Sequence, residues 1–373
     1  MDLLHFIDDE NVSEIRIKKK KIISDSNSKN IRTIDIQLSV EVVYSSNQIE
    51  NEKFKSVKEY IEYWFYNFNS KNLKPSSVDR KEQSIKQQVL PYLADKNLYQ
   101  LTKDDIQFMV NDLSSKNISF STIKKAYEAL NGCLKFAVEN DEISKNPALY
   151  VTLPEKSSKP KKEVRWFNEN EIKLIKAEAL RCYKNERPVH RLGYIFPFLI
   201  NTGMRIGEAL ALQWNDVDFE KETISVKHTV SQIKNRDKSE DKRSYKLIVQ
   251  SVKTKNGNRI IPLNNEAMTA IKEMKKINFN SDFVFASDNG SVSSAFTIDK
   301  TFRTILKKCG LVPTGVHSLR HTCASILFRR GCDPKYISHL LGHSEVFITY
   351  ETYIHFIQEQ NIDELKDILN DNI

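Results

Sequence analysis

The chain has little of what would tie it to a membrane, a metal or an oxidising compartment. Only five of its 373 residues are cysteines: Cys133, Cys182, Cys309, Cys323 and Cys332. Their number is odd and none has Cys-x-x-Cys or Cys/His ligand spacing. A disulfide framework and a structural metal centre are therefore not expected, and reduced thiols in a cytoplasmic protein are. No apolar run approaches the ~20 residues that a membrane-crossing helix needs. The stretch from Met1 to Asp9 is acidic and lacks the long apolar run of a leader, so no signal peptide is expected. No repeat of fixed period is present, and neither is a phosphate-cradling P-loop.

What is present points to a globular, multidomain, basic protein. A hydrophobic content of 40% allows real cores, and the length predicts two or three domains. Lysine and arginine total 57 against 49 aspartate and glutamate, a formal net charge of +8. A basic balance favours a polyanionic partner, because cationic side chains near phosphates release condensed counterions. Taken alone the charge is a weak signal, since many basic proteins never meet nucleic acid.

Four segments differ in pattern. In residues 1–52, Ile15–Ile23 and Arg32–Val40 read as strands, the second with Ile34, Ile36, Leu38 and Val40 alternating against polar residues. A Ser/Asn-rich turn from Ser24 to Asn30 separates them, so a small basic β module or an edge hairpin is expected. Residues 53–153 read as helical throughout. Ser56-Val57-Lys58-Glu59 looks like a capping box opening an aromatic-rich helix through Trp64 and Phe68. Lys74-Pro75-Ser76-Ser77 starts a second helix, Thr102-Lys103-Asp104-Asp105 caps a third, and Ser121 or Thr122 opens a fourth. The aromatic stripe of Tyr60, Tyr63, Trp64, Tyr66 and Phe68 reads as core packing. Residues 154–163 form a polar, proline-bounded basic linker. From residue 164 to 373 the pattern is mixed: helices near 168–182, 190–212 and 264–276, and strands near 222–230, 245–252 and 258–262. The mixed-charge stretch 231–244 reads as a solvated loop. The fold class is thus a mainly α domain followed by an α+β domain, with a small β module in front.

The chemistry-bearing residues lie in the α+β part. Thr202-Gly203-Met204-Arg205-Ile206-Gly207-Glu208 places an arginine where a turn enters a helix, a setting in which free backbone N–H groups also favour an anion. His317-Ser318-Leu319-Arg320-His321-Thr322 sets His317 and Arg320 three apart, on one helical face, with Ala324, Ile326, Leu327 and Phe328 anchoring the helix. Leu341-Gly342-His343 reads as a helix end closed by glycine, and Tyr353 follows His343. Ser251-Val252-Lys253-Thr254-Lys255-Asn256-Gly257 has strand–turn form with Asn-Gly as hairpin signal. Arginine fits phosphate oxygens with a planar fork of donors that stays charged. A tyrosine has an unperturbed pKa of about 10 and needs a base or a cationic pocket to attack near neutrality. Two arginines, two histidines and one tyrosine together can hold a phosphodiester and attack it without a metal. Tyr350 competes with Tyr353, and Lys255 with Lys253. His321 and His339 read as structural or surface residues.

In this order and context the residues resemble the tyrosine recombinase, or phage integrase, family of DNA strand-exchange enzymes. The resemblance implies that Arg205 and Arg320 clamp the scissile phosphate, that Glu208 supports Arg205, and that His317 accepts a proton or donates to the phosphate. It implies further that His343 donates a hydrogen bond, that Lys253 protonates the leaving oxygen, and that Tyr353 is the nucleophile. Cleavage would pass through a 3′-phosphotyrosyl link that conserves the bond energy, so no cofactor, ATP or metal is implied. The partners implied are double-stranded DNA attachment sites and a homotetramer on paired sites, with accessory DNA-bending or directionality proteins and no membrane. The amphipathic tail of Ile362, Leu365, Ile368 and Leu369 would pack on a neighbouring subunit or fold back on its own. A mobile-element integrase in the cytoplasm, at the nucleoid, is expected. The alternatives are a type IB topoisomerase-like relaxing enzyme and an inactive DNA-binding descendant.

Overall fold

A computed structural model describes residues 54–155, 165–237, 243–252, 257–278 and 280–343, with 345–347, 349, 366 and 370, and the backbone of 12–23 and 34–44. The chain divides into two compact units, Met1–Ser157 and Ser158–Ile373.

In the first unit, β1 (Val12–Ile23) pairs antiparallel with β2 (Ile34–Tyr44), Ile17 opposite Val40 and Ile23 opposite Ile34. The strands are longer than the alternation predicted, because the register continues past Val40 to Tyr44. Helices follow: α1 (Val57–Trp64), α2 (Pro75–Ser84), α3 (Leu90–Leu93), α4 (Lys103–Ser115) and α5 (Phe120–Glu139). Ser56 accepts the Glu59 N–H, but the Glu59 carboxylate turns to the backbone of Lys55, so the first capping box is only half made. At α4 both halves form: Asp105 N–H donates to Thr102 Oγ1, and Thr102 N–H to Asp105 Oδ2. Helix α5 starts earlier than expected, capped by Ser119. Wider π turns at Phe65–Asn69 and Ile85–Val89 extend α1 and join α2 to α3. The core gathers Tyr60, Ile61, Trp64, Val89, Met109, Leu130 and Leu134, each nearly fully buried. The aromatic stripe divides: Tyr60 and Trp64 are core, whereas Tyr66 and Phe68 are each 42% exposed.

The second unit carries α6 (Glu169–Ala179), α7 (Ile195–Thr202) and α8 (Ile206–Leu210), then β3 (Val217–Asp218), β4 (Thr223–Val226), β5 (His228–Lys234), β6 (Tyr245–Ser251) and β7 (Arg259–Pro262). Four helices complete its named elements: α9 (Asn265–Ile277), α10 (Ala295–Lys308), α11 (His317–Arg329) and α12 (Pro334–Leu341). Strands β3, β4 and β7 form one antiparallel sheet, and β5 and β6 a separate ribbon. The expected helix over 190–212 is broken in two, because Gly203 enters the left-handed region at φ 62° and ends α7. A core of Phe196, Phe198, Ile224, Ile261, Phe285, Phe302 and Leu319 holds α7 and α11 against the sheet.

Candidate active site

Helix α12 organises the site by the way it ends. Gly342 adopts φ 66°, its N–H bonds to the His339 carbonyl at 3.0 Å, and the His343 N–H bonds to the Ser338 carbonyl at 3.1 Å. This double closure satisfies two terminal carbonyls and leaves those of Leu340, Leu341 and Gly342 without a partner inside the helix. Three guanidinium groups take them. Arg259 Nε donates to Leu340 at 2.7 Å, and Arg320 Nη2 donates to Leu341 at 2.6 Å. Arg205 reaches Leu341 and Gly342 at 3.4 and 3.3 Å. The negative end of the helix dipole thus sits among three cations, and His343 is the residue that emerges from them.

A carboxylate ties two of these arginines together. Arg259 makes a fork to Glu208, Nη2 to Oε2 at 2.8 Å and Nη1 to Oε1 at 3.3 Å. Arg205 Nη1 joins from the other side at 2.9 Å. Burial alone would raise the Glu208 pKa, yet the hydrogen bonds and charge of Arg259, with help from Arg205, hold it below the ordinary carboxylate value. The Arg205 backbone N–H is not open for an anion, since it bonds to Glu208 Oε2 at 3.0 Å. At the helix start the chain's own carboxylate thus takes one of the backbone donors.

The arginines differ in access. The Arg205 side chain is 41% exposed, and its long bonds to the carbonyls are weak enough to exchange. Arg320 is 3% exposed and anchored also to the Gly203 carbonyl at 2.8 Å. His317, the first residue of α11, is exposed. Burial of the rest of its surface, then the charges of Arg320 and Arg205, lower its pKa. Its ring meets His321 edge to face with centroids 4.7 Å apart. The start of α11 is pinned by Asp299, which accepts the Val316 N–H at 2.7 Å. Burial first, then neighbouring positive charge, push His321 and His343 down to about 4, so both rings are neutral near pH 7. A surface cavity of about 1060 Å³ lies elsewhere, beside Tyr183, Arg187 and Arg191.

Arg205, Glu208, Arg320 and His343 are thus linked through one helix end, and His317 stands a turn before Arg320 on α11. Lys253, Lys255, Tyr350 and Tyr353 lie outside the described residues, as does most of the tail.

Residues 165–360 match the model of the Phage integrase family, and residues 56–114 match the Phage integrase, N-terminal SAM-like domain. The chain belongs to the phage integrase family. It is a tyrosine-type site-specific recombinase. A "Tyrosine recombinase XerC-like" protein of Caldanaerobacter subterraneus subsp. tengcongensis is 34% identical over 283 residues, 71% of this chain and 70% of the relative. Among solved structures, the Tn1549 transposon integrase in complex with a circular intermediate DNA has a TM-score of 0.66 at 21% identity, covering 86% of this chain and 100% of that one. A lambda integrase tetramer bound to a Holliday junction has a TM-score of 0.58 at 17% identity, covering 83% and 78%.

The sequence reading of this integrase family member passed over Arg259. It stands two residues after the Asn-Gly turn, as one more cation of a strand. Its partners are 51 and 81 positions away, at Glu208 and Leu340, and nothing local announces them. Thr349, fully buried and 2.7 Å from the His343 ring, was likewise unassigned.

Proposed function

We propose that this recombinase integrates or excises a mobile element by cutting and rejoining double-stranded DNA attachment sites. Tyr353 attacks the scissile phosphorus; its oxygen bonds to phosphorus as the bond to the 5′ oxygen breaks, leaving a 3′-phosphotyrosyl link and a free 5′-hydroxyl. Lys253, with Lys255 the alternative, gives the departing oxygen its proton. A 5′-hydroxyl from the partner strand later reverses the attack. The phosphorus–oxygen bond is exchanged rather than lost, so the cycle balances without ATP.

The observation that best supports this reading is the convergence of Arg205, Arg320 and His343 on the end of α12. Arg205 is the accessible clamp, holding phosphate oxygens with the fork that Glu208 orients. Arg320 acts from the floor of the site, where low solvent access leaves its charge little screened. His317 accepts a proton or donates to the phosphate, and neutral His343 donates a hydrogen bond.

The division of labour follows the segments: 1–52 a small β module for accessory DNA sites, 53–153 a helical core-binding domain, 154–163 a basic linker, and 164–373 the catalytic domain. Exchange of two duplexes requires four cuts, and a homotetramer supplies one tyrosine for each. The chain works where its DNA is, in the cytoplasm, with DNA-bending or directionality proteins as accessory partners. The test is a pair of plasmids, one bearing two junction sites of the encoding element and one bearing none. Recombined circles from the first alone are expected. Relaxation of both to the same extent would favour a topoisomerase instead.

A further inference from the structure

His343 Nδ1 lies 2.7 Å from the hydroxyl oxygen of Thr349, a side chain with 0% exposure. At that distance either atom is able to donate, so the direction depends on the hydroxyl's other options. A buried hydroxyl proton without an acceptor is costly, and native structures seldom leave one. Ser293 Oγ is a buried hydroxyl of this unit without a partner among the described residues, but three others on its helices give their proton to a carbonyl of their own helix. Thr202 donates to the Phe198 carbonyl at 2.8 Å, Thr322 to Ser318 at 2.9 Å, and Ser325 to His321 at 2.9 Å. Thr349 makes no such bond among the described residues, and Nδ1 of His343 is the acceptor its proton reaches.

We propose that Thr349 is a positioning residue: its hydroxyl donates to His343 Nδ1 and holds the neutral ring with its proton on Nε2. The value of that arrangement rests on the reading of His343 as a hydrogen-bond donor to the scissile phosphate. A neutral imidazole has one donor and one acceptor nitrogen. With the proton on Nδ1 it would turn a lone pair towards anionic phosphate oxygens, and the contact would be repulsive. Burial first, then the charges of Arg320, Arg205, Arg259 and His317, oppose a second proton on the ring, so protonation does not remove the choice near pH 7. The tautomer has to be set, and a buried hydroxyl sets it. Thr349 also lies four positions before Tyr353, so the bond ties the donor histidine to the stretch that carries the nucleophile.

The test is the tautomer itself, read on the full chain carrying nitrogen-15 histidine by long-range proton–nitrogen correlation. His343→Gln identifies the signals. Wild type and Thr349→Ser are expected to carry the proton on Nε2, and Thr349→Val to show mixed tautomers. Covalent DNA cleavage by Thr349→Val should slow roughly tenfold, as for loss of a partner that orients a functional histidine, with DNA affinity unchanged and Ser close to wild type. A wild-type ring protonated on Nδ1, or a tautomer that Thr349→Val leaves unaltered, overturns the proposal. A changed tautomer with an unchanged cleavage rate supports Thr349's hold on the ring and instead removes His343 from catalysis.

Discussion

Glu208 is a carboxylate with 4% of its surface exposed, and its stability as an ion depends on the two guanidinium groups it bridges. Removing one partner of a buried pair strands the other, at a typical cost of about 3–5 kcal/mol. Arg259→Met is therefore expected to lower the urea midpoint sharply. Adding Glu208→Gln should recover part of the loss, because a neutral amide needs no counter-charge. Equal midpoints for wild type and Arg259→Met would contradict the network. The histidines give a pH signature. His321 and His343 are held down to about 4 in the folded chain, and His317 is also lowered, against about 6.5 when unfolded. As pH falls below about 6.5 the unfolded chain binds protons that the folded chain refuses, so stability declines towards pH 4. Glu208, also depressed, adds to the decline below about 4.3, its ordinary value. Thermal unfolding from pH 7 to 4.5 should show a falling midpoint with a shallower slope in His343→Gln; a rising midpoint on acidification would contradict this.

Among the elements, two glycine-closed helix ends do most to shape the site. Gly203 closes α7 and offers its carbonyl to Arg320, and Gly342 closes α12 and exposes the carbonyls that the arginines grip. A side chain at Gly203 would meet Leu341 Cδ2 at 2.8 Å and Cys323 Sγ at 3.2 Å, on top of the left-handed φ. Gly203→Ala should thus destabilise by more than the ~1 kcal/mol of the backbone conformation alone and slow DNA cleavage as well. Wild-type cleavage by a folded Gly203→Ala chain would show that the arginine geometry is not critical. At this scale the sequence was legible where a signal is local. Thr102 with Asp105 announces the start of α4 and Gly342 the end of α12. The split between α7 and α8 was missed because apolar residues run through 195–212 at helical spacing while the break depends on one backbone angle. The π turns at 65–69 and 85–89 have no local marker, since packing selects them.

In the whole molecule, short strings separated by more than a hundred residues come together at one helix end, and this is why Arg205, Glu208, Arg320 and His343 were legible in motifs while Arg259 and Thr349 were not. Arg205 and Arg320 lie within recognisable strings. Arg259 and Thr349 owe their roles to partners that only the folded chain supplies. The net charge of +8 also belongs to this scale. If DNA is gripped mainly through phosphates, affinity should fall steeply with salt, by about 10³–10⁵ between 50 and 200 mM for six to ten phosphate contacts. A flat salt titration would point away from an extended phosphate interface. The central claim is that Tyr353 carries the covalent step. The direct measurement is covalent adduct on nicked duplexes bearing the junction of the encoding element, with chelator present and ATP absent, resolved under denaturing conditions. Wild type and Tyr350→Phe are predicted to form the adduct and Tyr353→Phe to form none; an adduct that persists in Tyr353→Phe would contradict the account.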